Sequence, residues 1–351
     1  MKQRIEWIDL VKATSVLLVV FMHASNTLVD IAGPSALGSA LQHFNFLVEP
    51  LRMPIFFLVS GMLAASAIHR PWSETTKRTT GMVYLYVTWM VVYFAFIALL
   101  GASVNQPISA ILFARSGFWY LYAMALFFVV ARLLRNQPAW VVVAVALVPN
   151  LLRPVTQEFF EGLVPGAMYT SMAMNLGFFL LGAYFKQTLG TLAEKATMTH
   201  TAVLGIVAVV SGILWLNTPS TAGHSYLPMS IVWVAFGLSL AAQITRNGAP
   251  DWARYVGART LPIYVWQWPL LFVVTEFLPA ATLGSTVIQA LFPVAFTLLV
   301  AVSAMWLHGL PALQHLFNAP RWALRPQDLP VVAPARRRVI NAEPVTVTVG
   351  R

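Results

Sequence analysis

The 351-residue chain is 58% hydrophobic and only 10% charged, with a mean hydropathy of +0.72. A soluble domain carries roughly 25% charged residues, so the composition excludes one and fits an all-α, polytopic membrane bundle. The net charge of +10 does not imply nucleic acid, because the cations lie in short loops between apolar stretches, where Lys and Arg set topology. Cysteine is absent, which excludes disulfides and thiolate metal sites.

The first apolar stretch, Trp7 to Val29, is greasy enough to span a bilayer yet carries Asp9, Lys12 and His23. Ionisable groups in hydrocarbon are expensive and mark functional sites. Its charged start, and the lack of a small-x-small cleavage site, argue against a signal peptide. Lys12 and His23 are eleven residues apart. That spacing is about three helical turns, or about 16 Å, on one face. Asp9 falls within about 60° of Lys12. His23 lies roughly 22 Å into a core about 30 Å thick, toward the outer side. A base acting on a hydroxyl and a structural histidine bonded between helices are both open readings. A snorkelling Lys12, reaching back to the interface, is the alternative for that residue.

Hydropathy places ten spans near 8–29, 46–67, 80–101, 117–134, 138–152, 169–185, 199–217, 228–245, 259–278 and 286–309. With an inside N-terminus, 18 of the 22 Lys and Arg fall inside, Arg115 and Arg153 outside, and Lys12 and Arg52 within spans. That asymmetry puts both termini in the cytoplasm. Asp30 to Asn45 reads as an outer loop without Lys or Arg.

The second span enters from outside, so Glu49 and Arg52 reach a depth similar to His23 and suggest a shared polar pocket. Pro54 is a candidate bend, and Ser60, Gly61, Ala64 and Ala65 form a small-residue face for close packing. Arg70, Lys77 and Arg78 follow on the cytoplasmic side, as phosphate ligands for a nucleotide-bearing donor or as topology signals. Trp119 and Tyr120 open the fourth span, lining an acceptor cleft or belonging to an interfacial aromatic belt. Gln267 in the ninth span needs a partner and is expected to face the interior. The other histidines have no metal-ligand spacing, so no metal is expected. Residues 1–317 read as the membrane domain. Residues 318–351, with five prolines and Arg336-Arg337-Arg338, read as a basic, unstructured cytoplasmic tail.

Several of these residues recur in a known pattern. The Asp9-x-x-Lys12 start, Lys12-x10-His23, Arg52-Met53-Pro54-x-Phe56-Phe57-x-x-Ser60-Gly61, Lys77-Arg78, Trp119-Tyr120-Leu121, Asn175 to Gly182, and Tyr255-Val256-Gly257 with Ile263-Tyr264 resemble acyltransferase family 3. The resemblance covers all ten spans. It implies ten core helices and transfer of an acyl group from cytoplasmic acyl-CoA, with acetyl-CoA the expected donor, to a hydroxyl of a glycan or other extracytoplasmic acceptor. It implies a catalytic role for His23, an essential role for Lys12 and no tightly bound cofactor. The chain departs from the pattern at Gln267, where the family often has histidine, and at Gly81, where it often has a second arginine. A proton-coupled transporter using Asp9, Lys12 and His23 is the rival reading, although no inverted repeat is visible.

Overall fold

The protein is described by a computed structural model covering residues 5–217 and 226–320. Among the described residues the regular structure is entirely helical. In chain order the helices are α1 (Glu6–Ala32), α2 (Ala36–Ile68), α3 (Trp72–Leu99), α4 (Pro107–Leu112), α5 (Trp119–Leu133), α6 (Ala139–Leu151), α7 (Arg153–Leu163), α8 (Tyr169–Tyr184), α9 (Lys186–Lys195), α10 (Met198–Leu216), α11 (Tyr226–Ile244), α12 (Asp251–Gly257), α13 (Thr260–Phe277), α14 (Thr286–Gly309) and α15 (Gln314–Phe317).

Six of these, α1, α2, α3, α10, α11 and α14, are long and apolar enough to cross a membrane. The bent pair α6 and α7 makes a seventh if counted as one span. The expected spans at 117–134, 138–152, 169–185 and 259–278 correspond to α5, α6, α8 and α13, which are 15, 13, 16 and 18 residues long. The first three are shorter than a straight crossing of about 20 residues. The fourth carries Gln267, Glu276 and two prolines, which lower its hydropathy. α6 and α7 meet at 80°. The break falls at Leu152 (φ −103°, ψ 33°), and Pro154 in the first turn of α7 has no N–H to continue the hydrogen-bond ladder of α6.

Residues 30–45 are not a loop. α1 runs on to Ala32, Gly33 turns the chain at φ 77°, and α2 begins at Ala36. The Ser35 hydroxyl caps α2 by accepting from the Gly38 N–H at 2.9 Å. It also donates to Gln289 Oε1 at 3.1 Å, tying the turn to α14. α3 likewise begins at Trp72, earlier than hydropathy indicates, because its first turns carry the polar run that includes Lys77 and Arg78.

α1 is surrounded by α2, α11, α12, α13 and α14. Its first turn is anchored by Glu6, which accepts from Arg254 at 2.9 Å and from the Ala249 backbone N–H. α2 packs most extensively on α8, and glycine makes that possible. A Cβ at Gly61 would sit 2.0 Å from the Phe179 carbonyl oxygen, and one at Gly182 would sit 1.9 Å from that of Leu58. The small-residue face in the second span is therefore a backbone-to-backbone contact, centred on Gly61 with Ala64 also buried. Gly177 approaches Ala146 of α6 in the same way, and Gly257 of α12 approaches Asp9 of α1. Three of the stretches that carry the resemblance thus contain a residue required by helix contact.

Lys2, Arg4 and most of the basic tail, from residue 321 onward, lie outside the described residues. Phe317, just before the tail, is buried against Trp89, with ring centroids 5.5 Å apart.

Gly61→Leu is expected to force α2 and α8 apart, at a cost of about 1–3 kcal/mol or more. The check is the yield of monodisperse protein in detergent and its thermal midpoint; both should fall relative to the native chain and to Ala65→Leu, whose position is only partly buried.

Candidate active site

Two ends of α1 carry polar groups. At the start, Lys12 Nζ stands 3.9 Å from Asp9 Oδ1, one turn apart, with the lysine side chain 19% exposed. Asp9 is buried under α12 by the glycine contact at Gly257. The Asp9 and Lys12 pair is therefore largely enclosed by the bundle.

Near the other end, His23 packs edge-on against Trp268 of α13, centroids 4.6 Å apart. Arg52 of α2 is close enough for its charge to act on the imidazole. Arg52 is buried and donates to Asn45 Oδ1 at 3.3 Å. Glu49 lies within electrostatic reach of Arg52 and of Arg153 from α7. Arg153 stacks over the Tyr226 ring at 4.9 Å, which brings α11 into the same cluster. Beside these groups opens a cavity of about 420 Å³ lined by Met22, Asn26, Asp30, Gln42, Asn45, Phe46, Glu49 and Arg52. Its walls are mainly polar. The structure thus connects Glu49 and His23 through Arg52.

Asn26, Asp30, Gln42, Asn45, Arg153 and Tyr226 were not among the residues expected here. A signal for some of them is present in the sequence. Positions 23, 26 and 30 share a face of α1, and positions 42, 45, 49 and 52 share a face of α2, each at three- and four-residue spacing. Reading 30–45 as a loop hides that stripe.

Trp268 links His23 to α5. Its ring covers Gly117, where a Cβ would fall 1.9 Å from the indole. Tyr264, one turn earlier, donates to the Gly117 carbonyl at 2.5 Å and accepts from the Tyr120 N–H at 3.2 Å. Tyr120 is packed between Phe56, Phe57 and Tyr264, and its hydroxyl is 3.0 Å from Ser60 Oγ. Trp119 packs on Phe57 at 5.8 Å. Both aromatics are partly buried against the core. A smaller cavity of about 180 Å³ lies among Phe56, Met82, Leu85, Tyr120, Leu121, Met124, Thr260, Leu261 and Tyr264.

Gln267 is fully buried, as expected. It donates to the Tyr264 carbonyl at 2.9 Å, and its Oε1 has no hydrogen-bond partner among the described residues.

The three basic residues after α2 divide. Arg70 and Lys77 are exposed. Arg78 is turned over the Phe128 ring at 5.3 Å and lies within electrostatic reach of Tyr120. Arg132, read from sequence only as a topology signal, is buried beneath the same corner. It donates to Thr75 Oγ1 at 2.5 Å and to the Ala67 carbonyl at 3.2 Å, under the Trp72 ring at 4.1 Å.

Comparison with known proteins gives the family. A family model described as "Acyltransferase domain" matches residues 5–307. The chain belongs to acyltransferase family 3. It is also 25% identical over 300 residues to Inner membrane protein YcfT of Escherichia coli (strain K12), covering 75% of this chain and 79% of the relative. No solved structure matches. The matched region begins just before α1 and ends near the end of α14, so it takes in both ends of α1, Trp268 and the polar cavity. The chain is therefore a multi-pass membrane protein of an acyltransferase family.

Tyr264→Phe removes both hydroxyl contacts and leaves the Gly117 carbonyl short of a donor. The expected loss is about 1 kcal/mol, visible as a lower thermal midpoint in detergent. An unchanged midpoint would show that the α5 to α13 link is not held by this hydroxyl.

Proposed function

We propose that the protein moves an acyl group, with acetyl the expected one, from cytoplasmic acyl-CoA to a hydroxyl of a glycan or other extracytoplasmic acceptor. The observation that carries this reading is the placement of His23 against Trp268 and within reach of Arg52, which lines a polar cavity of about 420 Å³. In this reading ten helices cross the bilayer, both termini are cytoplasmic, residues 1–317 form the catalytic unit and 318–351 are an appended tail.

The acceptor enters the polar cavity and is held by Asn26, Gln42, Asn45 and Glu49. His23 takes the proton from the reacting hydroxyl as general base. The oxygen attacks the thioester carbonyl, Arg52 steadies the negative oxygen that develops, and the carbon–sulfur bond breaks. The departing thiolate recovers a proton from the imidazolium, so the site returns to its starting state. Arg78 faces the donor from the cytoplasmic side, with the exposed Arg70 and Lys77 drawing in its phosphates. The acyl-bearing arm passes Trp119 and the Tyr120, Ser60 and Tyr264 cluster and reaches His23 beside Trp268. Gln267, where the family often has histidine, takes a hydrogen-bonding part without titrating. Asp9 holds Lys12 at the donor end of α1. This reading is compatible with the acyltransferase family and leaves no need for the inverted halves of a transporter.

His23→Ala should reach the membrane at the native level and lose transfer by about 100-fold or more. The assay is consumption of labelled acetyl-CoA by the purified protein in the presence of a hydroxyl acceptor. Full activity in the variant would overturn the role of His23. Substrate movement across vesicles with no thioester consumption by the native protein would overturn acyl transfer itself.

A further inference from the structure

An apolar cavity elsewhere in the bundle shares no lining residue with the polar one. It is a groove of about 680 Å³ between α8, α9, α10 and α11, floored by Leu58 and Phe178. Its volume is that of a small-molecule site. Leu192, Val203 and Ile231 line it and are exposed (64%, 54% and 47%), so it is open to the side. Ala193, Ala196, Ala235 and Ser239 supply the small side chains that hollow it.

α9 explains its edge. This ten-residue helix has Lys186 and Lys195 at its ends and sets Leu189, Leu192 and Ala193 into the groove. That pattern suits a helix lying in the membrane interface. Lys195 and His200 stand at the mouth. Arg246 from the end of α11 is fastened there, donating to the Ala196 carbonyl at 2.8 Å. The corner formed by residues 186–200 and 239–246 carries Lys186, Lys195 and Arg246 against one carboxylate, Glu194.

The groove is apolar inside and cationic at its rim. A pantetheine arm would bury two amides there, but the Ser239 hydroxyl is already given to the Phe236 carbonyl at 2.9 Å, and unpaired buried amides are costly. An acyl chain meets no such penalty, and a phosphodiester at its head would meet Lys195 and Arg246. We propose that this groove is a binding site for an anionic glycerophospholipid, one acyl chain between α9, α10 and α11 and the phosphate at Lys195 and Arg246.

The test is native mass spectrometry of the full chain, purified in detergent and incubated with palmitoyl-oleoyl phosphatidylglycerol or the matching phosphatidylcholine. The native protein should retain one phosphatidylglycerol, about tenfold better than phosphatidylcholine. Lys195→Gln with Arg246→Gln should erase that preference while leaving weak retention of both lipids. Ala235→Phe, which fills the groove, should abolish retention of both, with the thermal midpoint confirming that the variant is folded. Equal retention of the two lipids by the native protein would overturn the headgroup assignment. Undiminished retention by folded Ala235→Phe would overturn the groove. One-for-one displacement of phosphatidylglycerol by palmitoyl-CoA would overturn the lipid in favour of an acyl donor. None of these measurements depends on turnover, so they stand or fall apart from the role of His23.

Discussion

Hydrocarbon cannot solvate a carboxylate, an ammonium or an imidazole, and α1 carries all three. That constraint organises the bundle. A helix with Asp9, Lys12 and His23 along one side must be enclosed, and five other helices enclose it. The enclosure differs at the two ends. At the start, the polar groups answer each other locally, with Lys12 one turn from Asp9 and Glu6 holding Arg254. Toward the other end, His23 is met by an indole and a guanidinium from distant parts of the chain. The first arrangement fixes a helix in place. The second sets a histidine against Trp268 and within reach of Arg52, and Arg52 lines a polar cavity.

Close backbone approach is the device that makes such an enclosure possible without a large soluble-type core. Lipid is as apolar as leucine, so helices in a membrane gain little from burying leucine and more from tight contact and shared polar groups. The α2 to α8 contact at Gly61 and Gly182, and the α1 to α12 contact at Gly257, are of this kind. They set α2 so that Arg52 faces α1, and α12 so that it covers Asp9. Packing and chemistry are thus carried by the same helices: Arg52 and Gly61 are nine residues apart on one of them.

Much of this was legible in the sequence, and the failures share a cause. The long apolar stretches, the embedded Asp9, Lys12 and His23, and the inward Gln267 follow from hydropathy and spacing. The start of α2 does not, because Gln42, Asn45 and Glu49 lower the hydropathy of a stretch that is nonetheless helical. They line a cavity, so the cavity-facing side of the helix made it look like a loop. The contacts of Arg132 and Arg153 were hidden for a related reason. A cation near a span end is ordinarily a topology signal, yet Arg132 is buried under Trp72 and Arg153 faces Glu49. The contact between His23 and Trp268 joins residues 245 apart, and no local pattern encodes it.

The central claim is that α1 joins a cytoplasmic donor end to an outer acceptor end. Because the chain has no cysteine, single replacements report sidedness directly. Asn26→Cys, in the polar cavity beside His23, and Lys77→Cys, in the basic corner after α2, can each be labelled in intact spheroplasts with a membrane-impermeant maleimide. The account predicts that the cysteine at position 26 is labelled from outside and the one at 77 only after the membrane is opened. Labelling of both from the same side, or the reverse order, would contradict it.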